Sequence, residues 1–97
     1  MNIDIQTEHA AMRPDWHRTI DAWVARCARH HPGVTDLDVT LRHDAVGAHD
    51  EVAAVATVRG QTASAVRQAD TITGALHEAL DALEHQLLVL EPVRREA

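Results

Sequence analysis

Lysine, phenylalanine and tyrosine are absent from this 97-residue chain, and serine and cysteine occur once each, as Ser64 and Cys27. Every fixed positive side-chain charge is therefore an arginine guanidinium, a group that forks onto carboxylate or phosphate oxygens. Two Trp, Trp16 and Trp23, are the only large aromatic rings. Once both are placed on an apolar stripe, no stacking platform for single-stranded nucleic acid remains. One cysteine excludes an intramolecular disulfide and fits a reducing compartment. Cys27 has no evident general base, Ser64 sits outside any nucleophile elbow, and the four Gly form no phosphate-cradling loop. The chain therefore reads as a non-enzyme without a cofactor. Its longest aliphatic run, Leu87–Leu90, is far too short for a bilayer, and Met1–Ile5 lacks the basic and apolar regions of a secretory signal. The expectation is a cytoplasmic protein with no membrane partner.

What is present suits one domain over residues 1–97, with about two-thirds of its unfolded surface buried. Hydrophobic residues make up 45%, which excludes a disordered chain. The net charge of −6 argues against DNA and against general nucleic-acid binding, because each phosphate contact requires a cation. Nine Arg, eight His and fifteen acids mean that protonating every histidine would turn −6 into +2.

Hydropathy patterning sets the elements. Ile3 and Ile5 alternate with polar residues, predicting a short strand over 2–6 with one buried face. Trp16, Ile20, Trp23, Val24 and Cys27 fall on one side of a helix over 14–31, opened by Pro14 and Asp15 and stopped by His31-Pro32-Gly33. Val34, Leu37, Val39 and Leu41 predict a strand with one wet face, with period two from Leu37 onward. A loop over 44–50 leads to a Val- and Ala-rich strand over 51–59. Arg59-Gly60 reads as a hairpin turn, and a return strand covers 61–67. Asp70 or Thr71 caps a final helix over 71–90, ended by Pro92. Its buried stripe is Ile72, Leu76, Ala79, Leu80, Leu83, Leu87 and Leu90. The fold class is α+β, in the order β-α-β-β-β-α, with two one-sided helices packed on one face of a four-stranded sheet.

Arg18, Arg26 and Arg29 project from the polar face of the first helix, with Ala22 and Ala25 between them. Small residues there would let a phosphate backbone approach closely. The final helix projects Glu78, Asp81 and Glu84 instead. Two sets of metal-ligand types also occur, Cys27 with His30 and His31, and His77 with Asp81 and His85. Cys27 belongs to the buried stripe, however, and the outer pair of the second set is separated by about 12 Å of helix. These read as ordinary surface histidines with carboxylate partners, and no metal is assigned. Leu88 and Val89 point away from the core on a helical projection, which marks either a dimer or partner surface or a patch covered by the tail at Val93.

Several of these stretches resemble the ribosome hibernation-promoting factor family, also known as ribosome-associated inhibitors or sigma-54 modulation proteins. They are the opening strand Asn2–Gln6 with His9, the helix core at Trp16, Ile20, Val24 and Cys27, Arg29-His30, the strand over 34–41, and the 81–87 segment. The likeness covers essentially the whole chain, in the short form without a C-terminal dimerisation domain. It implies binding to small-subunit rRNA by charge and shape, and inhibition of translation without chemistry. Carried over by position, it assigns RNA contact to Arg18, Arg26 and Arg29 on the first helix. Arg42 and Arg67, with Arg59, are candidates for secondary contacts. Where the family continues with a Lys/Arg cluster after its Gln-Leu pair, this chain reads Leu88-Val89-Leu90-Glu91. The alternative is a protein–protein interaction domain of the same fold that has lost rRNA binding. It would use the acidic final helix and its Leu88-Val89 end to bind a basic partner or a second copy.

Overall fold

The structure, a computed structural model, describes residues 1–44, 47 and 49–90. Pro92 and Val93, expected to end and to cover the final helix, lie outside the described residues. The elements run β1 (Asn2–Glu8), α1 (Pro14–His30), β2 (Val34–Asp44), β3 (His49–Val58), β4 (Gln61–Ala69) and α2 (Ile72–Leu90). The sheet order is β1-β2-β3-β4, with β1 parallel to β2 across the α1 crossover and the rest an antiparallel meander. The predicted order and fold class are those observed. Asp44, His49 and Asp50 belong to strands rather than to the loop expected there.

One irregularity explains why period two begins only at Leu37. Val34 and Leu37 are both buried although three residues apart, which an even strand forbids. The β2–β3 register shifts between Val34 and Asp36, so a bulge at Thr35 returns both side chains to the core face. Thr35 Oγ1 donates to the Asp36 carboxylate at 2.8 Å, and Asn2 Nδ2 donates to the same group at 3.2 Å. The Thr35 bond first, then Asn2, holds Asp36 below the ordinary carboxylate range. A depressed carboxylate contributes its stabilisation above its unfolded value and loses it as pH falls through the folded value. Amide-exchange protection of β1 is therefore expected to decline on acidification below the carboxylate range. Asn2→Ala should remove part of that pH dependence.

The β3–β4 hairpin turns at Arg59 (φ 50°) and Gly60 (φ 77°), both left-handed, as a two-residue turn matched to strand twist requires. A Cβ at Gly60 would meet nothing within 4 Å, so Gly60→Ala tests backbone conformation alone. It should cost about 1 kcal/mol, read as a lower urea midpoint at unchanged slope. The helix stop expected at His31-Pro32-Gly33 needs no left-handed glycine, since Gly33 has no positive φ. The reversal after α1 is held by main-chain bonds, His31 N to Cys27 O (2.7 Å) and Val34 N to His31 O (3.1 Å).

Two helices cover one sheet face, and they do so differently. α2 lies close against β3 and β4, where the buried residues include small ones on both sides, Ala75 and Ala79 from the helix and Ala54, Ala56, Ala63 and Ala65 from the strands. α1 stands further from the strands, and Trp16, Ile20 and Trp23 fill the space beneath it. Burial follows the predicted stripes with three corrections. Ile3 is 42% exposed, since edge strand β1 is only partly covered; Leu90 is 38% exposed beyond the last core turn; Ala75 joins the α2 core. Thr71, not Asp70, caps α2, its Oγ1 accepting from Gly74 N at 3.1 Å. Gln86 reaches the outer edge of β4, where its side-chain amide bonds both N–H and C=O of Ser64. That occupies a step of an otherwise open edge.

Candidate nucleic-acid interface

α1 and α2 lie side by side and run in the same direction. At their N-terminal ends Trp16 Nε1 donates to Thr73 Oγ1 at 3.1 Å, and towards the other end Trp23, Arg26 and His30 adjoin Glu84. Between them runs an open groove of about 400 Å³. Arg18, Ala22 and Arg26 form one wall, His77 and Asp81 the other, and the buried Trp23 and Leu80 reach its base.

The arginines of α1 are available. Arg18, Arg26 and Arg29 are all exposed, and none has a hydrogen-bond or ion-pair partner among the described residues. Local geometry explains it. The α1 acids that flank them are engaged by other cations: Asp15, at the groove beside Arg18, accepts from Arg13 Nε at 3.3 Å, and Asp21 meets His17 Nδ1 at 3.1 Å. Arg13 also stacks over the Trp16 ring, which keeps it near the helix start. Arg18 and Arg26 both line the groove, and Arg29 continues the row one turn beyond.

The other predicted cations stand apart from this row. Arg42 lies on the opposite, open face of the sheet, between Glu8 (2.5 Å) and Glu51 (3.5 Å). The Glu8 carboxylate, by hydrogen bond and charge, holds its guanidinium above the ordinary arginine value. Arg67 pairs in register with buried Val52, which puts it on the helix side of the sheet but at the outer edge strand. α2 separates it from α1, and its Nη1 donates to the Val66 carbonyl at 2.9 Å. Arg59 occupies the hairpin turn.

Glu78, Asp81 and Glu84 form an anionic row along α2, with Asp81 in the groove wall and Glu84 at its far end, also without side-chain partners among the described residues. Leu88 and Val89 are 43% and 78% exposed at the end of α2. Among the described residues no three His, Cys, Asp or Glu come together as a metal site, and His31, expected at the surface, is instead buried. Cys27 is buried, and Ser64 engages Gln86 through its main chain. Among the described residues no helix is long and apolar enough to cross a membrane.

What sequence reasoning missed is the groove itself. Its two walls come from helices 57 residues apart in sequence, as the Trp16–Thr73 bond measures, and only packing brings them level.

Known proteins share this architecture. A ribosomal subunit interface protein from Coxiella burnetii superposes with a TM-score of 0.82 at 15% identity, covering 94% of this chain and 98% of its own. The N-terminal domain of Protein Y from Thermus thermophilus gives 0.79 at 18% identity, covering 94% of this chain and all of its own. At such identities the likeness is one of fold. Comparison by sequence with curated proteins finds no match. The sequence profile described as "Sigma 54 modulation protein / S30EA ribosomal protein", however, spans residues 3–90, from the edge strand through the last turn of α2. The chain carrying this paired-helix groove thus belongs to the sigma 54 modulation protein / S30EA ribosomal protein family.

Proposed function

We propose that this protein is a ribosome-associated, hibernation-type factor that silences translation by occupying small-subunit rRNA, with no chemistry performed. The observation that carries the reading is the row of exposed guanidiniums at Arg18, Arg26 and Arg29, unpaired among the described residues, on a helix anchored by two buried indoles. Family membership and likeness to a protein described as a ribosomal subunit interface protein support it. In a chain of net charge −6, this row is the best seat for a phosphate backbone. Both indoles are buried, so recognition is by charge and shape, with little reading of bases. Such a role places the protein in the cytoplasm.

Co-sedimentation with purified small subunits across a salt series tests this. Binding should be present at about 50 mM salt and fall with a log–log slope of roughly −2 to −3, as three phosphate contacts require. Failure to co-sediment at low salt would overturn it. The second reading, a protein-binding domain that has lost rRNA contact, draws on the acidic row and the exposed Leu88-Val89 end. It would be left standing by that failure.

A further inference from the structure

The helix layer presents its charges as two adjacent parallel rows, Arg18, Arg26 and Arg29 along α1 and Glu78, Asp81 and Glu84 along α2. No cross-groove ion pair joins them within 4.0 Å among the described residues. A polyanion satisfies the first row and is repelled by the second; a polycation does the reverse. A partner that satisfies both must carry the same two rows in opposite order. A second copy of this chain does so when turned about a twofold axis parallel to the helices, because that rotation exchanges left and right and preserves direction.

We propose that two copies of this protein associate through their helix layers, α1 of each lying along α2 of the other, with the arginine row of one protomer against the acidic row of its partner. The levels match. The Trp16–Thr73 bond aligns the two helices within one chain, and the twofold axis keeps that alignment between chains. Arg26 then stands level with the span between Asp81 and Glu84. Arg18 and Arg29 each fall within about one turn, ~5 Å, of Glu78 and Glu84 respectively. The net charge of −6 per protomer opposes the approach, so the dimer is weak and forms at high concentration. Association covers the arginines offered above to rRNA, so self-pairing and polyanion binding exclude one another. Only that last consequence rests on the proposed function.

The test is a charge swap, read without RNA by sedimentation equilibrium up to about 1 mM protein. The wild-type mass should rise from 10.7 kDa towards twice that value. Arg18→Glu/Arg26→Glu/Arg29→Glu and Glu78→Arg/Asp81→Arg/Glu84→Arg should each remain monomeric. An equimolar mixture of the two should regain the dimer, since one contact is then restored with reversed sign and the other pairs the unchanged arginine row with the unchanged acidic row. Circular dichroism confirms that each variant is folded; should a triple variant not fold, the single pair Arg26→Glu and Asp81→Arg replaces it. A wild type that stays monomeric, a reversed variant that still dimerises alone, or a mixture that fails to recover would each overturn the proposal. Because no ribosome is present, failure here is distinguishable from failure of the rRNA reading.

Discussion

Trp23→Ala is expected to destabilise the protein by about 3–5 kcal/mol, enough to unfold much of it at physiological temperature if the wild type has the usual margin of a small domain. In a domain of this size such a loss lowers the thermal midpoint by roughly 20 °C, measured by far-UV circular dichroism. The cause is the stand-off of α1. α2 rests on alanines and has close backbone neighbours, whereas α1 reaches the sheet through large side chains and has little to collapse onto when one is removed. Trp23→Phe separates volume from hydrogen bonding. The indole Nε1 of Trp23 is buried with no hydrogen-bond partner among the described residues, so phenylalanine loses size but no bond. It should cost only about 1–2 kcal/mol, since most of the ring's buried area is retained. Equal losses for alanine and phenylalanine would refute the cavity explanation. Trp16 differs, because its Nε1 donates to Thr73, and that bond sets the level of the two helices.

Replacing Arg18, Arg26 and Arg29 together by glutamine should weaken small-subunit binding about 100-fold, taking ~1 kcal/mol for each exposed charge-assisted contact. The salt slope should flatten by about 2–3, one count for each phosphate contact removed. Arg42→Gln provides the control. Its guanidinium lies on the opposite sheet face between Glu8 and Glu51, and its loss should leave ribosome affinity nearly unchanged. Were Arg42→Gln as damaging as the triple variant, the interface would lie on the open sheet face and the α1 assignment would fall. Measuring all variants in one salt series separates a lost contact, which changes the slope, from a lost fold, which abolishes binding at every salt.

Much of the architecture is legible in the residues because one-sided apolar periodicity reports burial directly. The stripe at Trp16, Ile20, Trp23 and Cys27 is the buried face of α1, and the Arg59-Gly60 turn has the two positive φ values its hairpin needs. The readings that changed are those where burial depends on neighbours outside the window. Ile3 alternates as a core residue should, yet the edge strand that carries it is incompletely covered. Leu90 continues the α2 spacing past the point where the sheet ends beneath it. At Val34 the broken period is a bulge, which is visible only as a register against β3.

The site divides in the same way. Helical spacing alone puts Arg18, Arg26 and Arg29 on one polar face and the acids of α2 on another, since 3.6 residues per turn settles which side chains share a side. Periodicity is silent about pairing between elements. Local geometry around α1 engages Asp15 with Arg13 and Asp21 with His17, and the arginine row is left unpaired among the described residues. Packing placed Arg42 between two carboxylates on the far face, and set the cationic and anionic helices level across one groove. Whether a charge is available depends on which opposite charge lies within a few ångströms, and for Arg42 and for the two helix rows those distances arise only when distant segments meet.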